Sequence, residues 1–125
     1  MSHGGNLTVH NVTINGSARS GVDLEPNTDK DVVVGVQLTN LTIHSHLLAI
    51  TSGGPGHVSD VLISDVFVPY SAVPHFFACP TSPNGTRANW TIQRTSAWPL
   101  TQDPVVFCQA RDMAVVNCTF PTDIG

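Results

Sequence analysis

Charge is scarce in this chain: Asp, Glu, Lys and Arg supply 11% of its 125 residues, against about a quarter in an average globular domain. Its polarity rests instead on Thr, Ser, Asn and Gly. The hydrophobic share of 41% excludes a disordered polyelectrolyte. Basic residues are scarcest, with five Lys and Arg against nine Asp and Glu and a net charge of −4. No basic run exists to neutralise a row of phosphates, so nucleic acid is excluded as an expected partner. Long apolar runs are missing too, and no stretch approaches the roughly 20 residues of a membrane span. The three cysteines, Cys79, Cys108 and Cys118, have neither C-x-x-C spacing nor a His pair at metal-finger distance, which argues against zinc. Cys108 and Cys118 flank a tight reversal and are the expected disulfide pair in a secreted chain; three buried free thiols are the alternative. Helical periodicity is absent as well, since no window places apolar residues at i, i+3, i+4 and i+7 with caps.

What is present is short alternating runs rich in Val, Ile and Thr, bounded by Gly, Asn, Pro or Asp, which predict an all-β chain. The runs include Leu7 to Val9, Asn11 to Ile14, Val22 to Leu24, Val32 to Leu38, Asn40 to Ile43, Leu47 to Ile50, Val58 to Val68, Val105 to Phe107 and Met113 to Phe120. At this length they make one domain or a piece of one. The opening Met1-Ser2-His3-Gly4-Gly5 runs straight into a strand pattern and the end at Ile124-Gly125 shows no cap chemistry. A fragment of a longer chain, whose remainder packs on the open ends, is therefore expected.

Asparagine usage is the strongest compositional signal. Seven of eight Asn (6, 11, 15, 40, 84, 89 and 117) open an Asn-x-Ser/Thr triplet. Glycosylation in a secretory pathway is one cause of such an excess, and places the chain outside the cell. The other cause is a strand repeat of the form Asn-apolar-Thr-apolar, which generates the triplet through period-two alternation. Asn6, Asn11, Asn40 and Asn117 suit the repeat; Asn84 and Asn89, in a loop, suit glycosylation.

The repeat is visible in Asn11-Val12-Thr13-Ile14, Asn40-Leu41-Thr42-Ile43 and Asp60-Val61-Leu62-Ile63, with Ala114 to Phe120 as a fourth copy. Unequal spacing of roughly 20 to 30 residues between short strands predicts a parallel β-solenoid of about four coils, with extra residues extruded at the corners. Ile14, Ile43 and Ile63 are expected in one buried ladder.

At these residues the chain resembles the right-handed parallel β-helix family, the pectate-lyase-like superfamily of secreted polysaccharide lyases, hydrolases and epimerases. The resemblance is carried by Asn11 to Gly16, by Gly21-Val22-Asp23-Leu24-Glu25-Pro26-Asn27, and by the runs 34–43 and 58–68. It covers residues 6–68 well and 105–120 loosely. It implies a right-handed β-helix and a polysaccharide substrate or ligand held on the outer face of one parallel sheet.

Candidate site residues cluster around that resemblance. Asp23 and Glu25 flank the inward Leu24, so both carboxylates project outward about 7 Å apart along the strand. In the resembling family such pairs act as acid and base or hold Ca²⁺ over a uronate. Arg19 and Lys30 bracket the pair and are placed to neutralise a uronate carboxyl, and Asp29 and Asp31 bring four carboxylates into nine residues, compatible with a calcium ion. A solvated strand face closed by a polar turn is the alternative. His44 and His46 alternate in the second coil, with His10 near the equivalent place one coil earlier; His44 is a candidate general base near neutral pH, or a solvent-facing side chain.

Residues 69–104 break the pattern and collect six of the nine prolines, both tryptophans and the single tyrosine, which predicts an extruded loop. Tyr70, Trp90 and Trp98 offer flat faces for a pyranose ring, or pack the loop on the solenoid wall. Two functions stay open: a carbohydrate-active or carbohydrate-binding domain acting on a polysaccharide, and a non-catalytic structural or adhesive solenoid. Convergence of Asp23, Glu25, a cation and an aromatic on one cleft distinguishes the first from the second.

Overall fold

The computed structural model describes residues 3–17, 20–45, 48–69, 75–78, 85–97, 105–106 and 110–119. They form ten strands and, among the described residues, no helix: β1 (His3–Ser17), β2 (Ser20–Asp23), β3 (Val32–Ser45), β4 (Leu48–Thr51), β5 (His57–Val68), β6 (His75–Ala78), β7 (Thr86–Gln93), β8 (Ser96–Ala97), β9 (Val105–Val106) and β10 (Ala110–Val116). The chain alternates between two parallel sheets. The long sheet runs β1-β3-β5-β7-β10 with β8 beside β5, and the short sheet runs β2-β4-β6-β9. Among the described residues every strand pairing is parallel, and the long sheet stays open, with β1 and β10 as its edges. This arrangement is compatible with a β-solenoid.

The long strands bend at two left-handed corners. Asn6, Asp60, Asn89 and Asp112 have φ between 55° and 57°, with Gly35 at 79° in the same column; Asn11, Asn40, Asp65, Arg94 and Asn117 form the second column at 45° to 57°. Each corner pair is five residues apart on its strand. Asn, Asp and Gly tolerate this backbone region better than other residues, because a short polar side chain or none avoids the Cβ clash. The sequence therefore marks the bends itself, and Arg94 is the one bulky exception.

Between and beyond the corners, alternate residues point inward. Val36, Leu38, Leu41 and Ile43 of β3, and Val61, Ile63, Val66 and Val68 of β5, are all buried. They stack strand over strand: Val9 opposite Leu38, Leu38 opposite Ile63, and Ile63 opposite Ile92. Each such aliphatic side chain contributes on the order of 1.5–3 kcal/mol through removal from water. In-register stacking is also required, because a one-residue slip would turn the whole apolar row outward.

Two expectations are corrected here. Ile14 does pair with Ile43, but Ile63 faces Leu38. Ile63 is fully buried, whereas Ile14 is only half-buried on the edge strand. The single ladder of three isoleucines is thus two ladders, because Asp60 occupies the first corner and Asn40 the second. The stretch 69–104 is not one extruded loop either. Thr86–Gln93 is a full strand of the long sheet and Ser96–Ala97 pairs with the end of β5. The long sheet consequently stacks five strands where four repeat copies are legible. Alternation in Arg87-Ala88 and Trp90-Thr91-Ile92 supplies the inward row of β7, with Arg87, Trp90 and Ile92 all buried.

On the far side of the core, the turn after β2 and the turn before β5 pack on each other. Gly56 N–H donates to Pro26 O at 3.3 Å, and Gly54 lies so close that a Cβ there would meet Pro26 O at 2.2 Å. Gly54 also holds φ of 86°, so a side chain is excluded on both counts.

Candidate functional site

The described members of the expected acidic site lie at the end of β2 and in the connection that follows it. Asp23 ends β2 opposite Thr51, and Glu25 and Lys30 are exposed in the connection that follows. Glu25, Lys30 and the half-buried His44 form no hydrogen bond or ion pair with one another. Asp31 serves the turn itself: its Oδ2 accepts from the backbone N–H of Asn27 and of Thr28, both at 3.1 Å. That local use of a carboxylate is what Asp does in turns. No three His, Cys, Asp or Glu gather as a metal site among the described residues, so the four acids between 23 and 31 do not converge on one point.

Trp90 is corrected from a sugar platform to a core residue. It is 1% exposed and donates its indole Nε1–H to Val58 O at 3.1 Å, so neither ring face is available to a ligand. Arg19, Tyr70 and Trp98 lie outside the described residues. So do Cys79, Cys108 and His46. Cys118 is a half-buried free thiol, with Sγ 3.5 Å from Ile92 O, so the Cys108–Cys118 bridge is not formed.

The histidines are structural where they have partners. His10 Nδ1 lies 2.6 Å from Thr39 Oγ1, its register partner on the next strand, so the place one coil on from His10 is held by Thr39 and not by His44. His57 repeats that contact with Thr86 at 2.6 Å, and its Nε2 reaches Asp29 O at 3.1 Å. A carbonyl can only accept, so Nε2 carries the proton and Nδ1 accepts from the threonine hydroxyl.

Polar side chains along the corners are largely spent on each other. Asn40 donates to Asn11, and Asn89 Nδ2 donates to Asp60 Oδ1 at 2.7 Å. Arg94 clasps Asp65 with two contacts of 3.0 Å, while Ser64 Oγ–H donates to Asp65 Oδ2 at 2.6 Å. The Arg94 hydrogen bonds, then that from Ser64, hold the Asp65 carboxyl below the usual carboxylate range. The same contact raises the Arg94 guanidinium.

Arg87 is the unusual cation. It is 2% exposed and no carboxylate is among its partners. Its Nε–H donates to Ser52 Oγ at 2.8 Å, Nη1 to Gly56 O and Thr86 O at 2.9 Å each, and Nη2 to the carbonyls of Ser52, Gly53 and Gly54. Burial lowers its pKa, since desolvation disfavours the charged form. The guanidinium fork thus gathers the turn between β4 and β5 into one plane of acceptors.

On the outer face of the long sheet, several polar side chains have no hydrogen-bond partner among the described residues. A groove of ≈ 390 Å³ crosses β1, β3, β5 and β7 on the outer face of the long sheet. Its polar lining is Asn6, Thr8, Gln37, Asp60, Asn89 and Thr91. Thr8 faces Gln37, Gln37 faces Leu62 and Leu62 faces Thr91 in strand register, so these four form one outward row. Gly35 interrupts the corner column between Asn6 and Asp60, and a Cβ there would come within 3.1 Å of Asn6 Oδ1. Its missing side chain leaves a notch. The outward row was not legible in sequence, because its members are ordinary strand residues 25 to 29 positions apart until the register aligns them.

Fold and groove together define an all-β protein of stacked parallel strands with an outer face lined by amides, hydroxyls and the carboxylate of Asp60. No family model matches the chain, and no curated protein matches it. Among the described residues no helix is long and apolar enough to cross a membrane.

Proposed function

We propose that the chain is a right-handed parallel β-helix that binds a polysaccharide on the outer face of its long sheet, in an extracellular setting, without cleaving it. The observation that carries this reading is the groove across four strands, whose amides and hydroxyls at Asn6, Thr8, Gln37 and Thr91 have no hydrogen-bond partner among the described residues. Groups that both donate and accept match the hydroxyls of a sugar chain, which also donate and accept. Right-handed crossovers are the general rule for parallel connections and support the handedness. Glycosidic cleavage by the common route uses two carboxyl groups. Asp60 is the one carboxylate among the described lining residues, which favours gripping over chemistry. The Asn15-Gly16-Ser17 triplet begins at an exposed asparagine outside both corner columns and supports the extracellular setting.

Titration calorimetry of the chain against a panel of plant, algal and microbial polysaccharides tests the reading. Binding that Gln37→Leu and Thr91→Val each weaken at least tenfold is expected, with no new reducing or unsaturated ends released. Failure of every polysaccharide to bind would remove it. A purely structural solenoid is the second reading, favoured by the apolar residues exposed on the edge strands: Leu7 and Val12 on β1, Val115 on β10.

A further inference from the structure

We propose that Asp60 sets the charge selectivity of the groove, so that it takes an uncharged glycan chain laid across the strands and rejects chains of uronates. The inference rests on the carbohydrate-binding reading and adds the class of sugar to it. The groove spans four strands of a sheet whose neighbours lie about 4.8 Å apart, a length of about 14 Å, enough for a short oligosaccharide segment running along the stack. Leu62, between Gln37 and Thr91 in the outward row, offers an apolar patch to the C–H face of a ring.

Charge on this face is one-sided. Asp60 Oδ1 accepts from Asn89 Nδ2 at 2.7 Å, and Oδ2 has no partner among the described residues. Among the described residues no Lys, Arg or His lines the groove. Of the five cations in the sequence, Arg87 is buried in the turn it braces and Arg94 is held by Asp65. Lys30 belongs to the connection before β3, and Arg19 lies outside the described residues. On β10, one strand beyond the groove, Arg111 stands next to Asp112, one charge of each sign. A uronate carboxylate brought within a few ångströms of Asp60 meets like charge with no cation to offset it, a penalty of about tenfold in affinity. A sugar hydroxyl at the same place donates to Oδ2 in a charge-assisted hydrogen bond. Asp60 is thus a specificity-determining residue, and the groove departs from the uronate ligand that the β-helix resemblance implies.

Cellohexaose, mannohexaose and hexagalacturonate, titrated separately into the intact chain, test this. At least one neutral hexasaccharide is expected to bind about tenfold more tightly than hexagalacturonate. Asp60→Asn keeps a residue suited to the left-handed corner and should bring hexagalacturonate to within about threefold of the neutral sugar, whereas Gln37→Glu should widen the gap. Hexagalacturonate binding as tightly as the neutral sugars, or a ratio unmoved by both variants, would overturn the inference and leave the carbohydrate reading standing. Binding of none of the three, nor of any polysaccharide in the wider panel, would overturn both.

Discussion

Asn89 donates its side-chain amide to Asp60 across neighbouring strands at 2.7 Å, and both residues hold a φ of 57°. Two properties of Asn are used at once: a short amide that bridges one strand spacing, and tolerance of the left-handed corner. Replacing Asn89 with Ala removes both and should cost about 1.5–2.5 kcal/mol, whereas Gly, which keeps the backbone freedom, should cost about 1 kcal/mol. Urea unfolding of the two variants beside wild type checks the order; equal losses would show that the corner conformation carries no weight.

Arg87→Met should be among the most damaging single changes. It leaves Ser52 Oγ and the Ser52, Gly53, Gly54 and Gly56 carbonyls without this donor, inside a site closed to water. A loss of about 3 kcal/mol or more is expected. Arg87→Lys restores the charge but not the planar fork, and should recover only part of it. Thermal melts of both variants are the measurement, and a near-wild-type Met variant would contradict the assignment.

Ile63→Ala and Ile14→Ala separate the interior from the edge. Ile63 is wholly buried between Leu38 and Ile92, so about 3 kcal/mol should be lost. Ile14, half-buried on the edge strand, should lose less than half as much. Equal losses in denaturant titrations would put the two isoleucines back in one ladder.

The Asp65–Arg94 pair predicts a pH effect of definite sign. Because the folded state depresses the Asp65 pKa, the unfolded chain takes up this proton first as pH falls. The contribution of the pair is complete above the unfolded carboxylate pKa and disappears as pH drops through the lower folded value. Both groups are exposed and screened, so the effect on stability is small. Carbon-detected NMR titration should place Asp65 below the usual carboxylate range, and Arg94→Gln should raise it toward that range while the Ser64 hydrogen bond still holds it down. An unmoved Asp65 in that variant would exclude Arg94 as the cause.

Much of the fold is legible in the sequence, and its register is not. Alternation in Val36-Gln37-Leu38-Thr39 and the absence of helical spacing suffice for parallel all-β structure. Register fails at Asp60-Val61-Leu62-Ile63, which matches Asn40-Leu41-Thr42-Ile43 in pattern while occupying the other half of the strand. The signal that separates them is the corner pair: Asn6 with Asn11, Asp60 with Asp65, and Asp112 with Asn117, each five apart. The same columns reinterpret the glycosylation triplets. Asn6, Asn11, Asn40, Asn89 and Asn117 all sit at left-handed corners, so backbone conformation accounts for the asparagine, and the outward alternation for the Thr or Ser two residues on. The groove could not be read from sequence at all. Its row, Thr8, Gln37, Leu62 and Thr91, exists only once connections of different length have been closed.

Those connections have a mechanical consequence. The distance between corners is constant, while corresponding residues of successive strands, such as Val9, Leu38, Ile63, Ile92 and Val115, are 29, 25, 29 and 23 positions apart. Length variation is confined to the arcs outside the bends. Force applied between the two ends of the chain loads the edge strands first and releases them one at a time. Each release frees roughly 80–100 Å of extended chain. The molecule should unravel under tension in a few nearly equal steps, a staircase rather than one cooperative rupture.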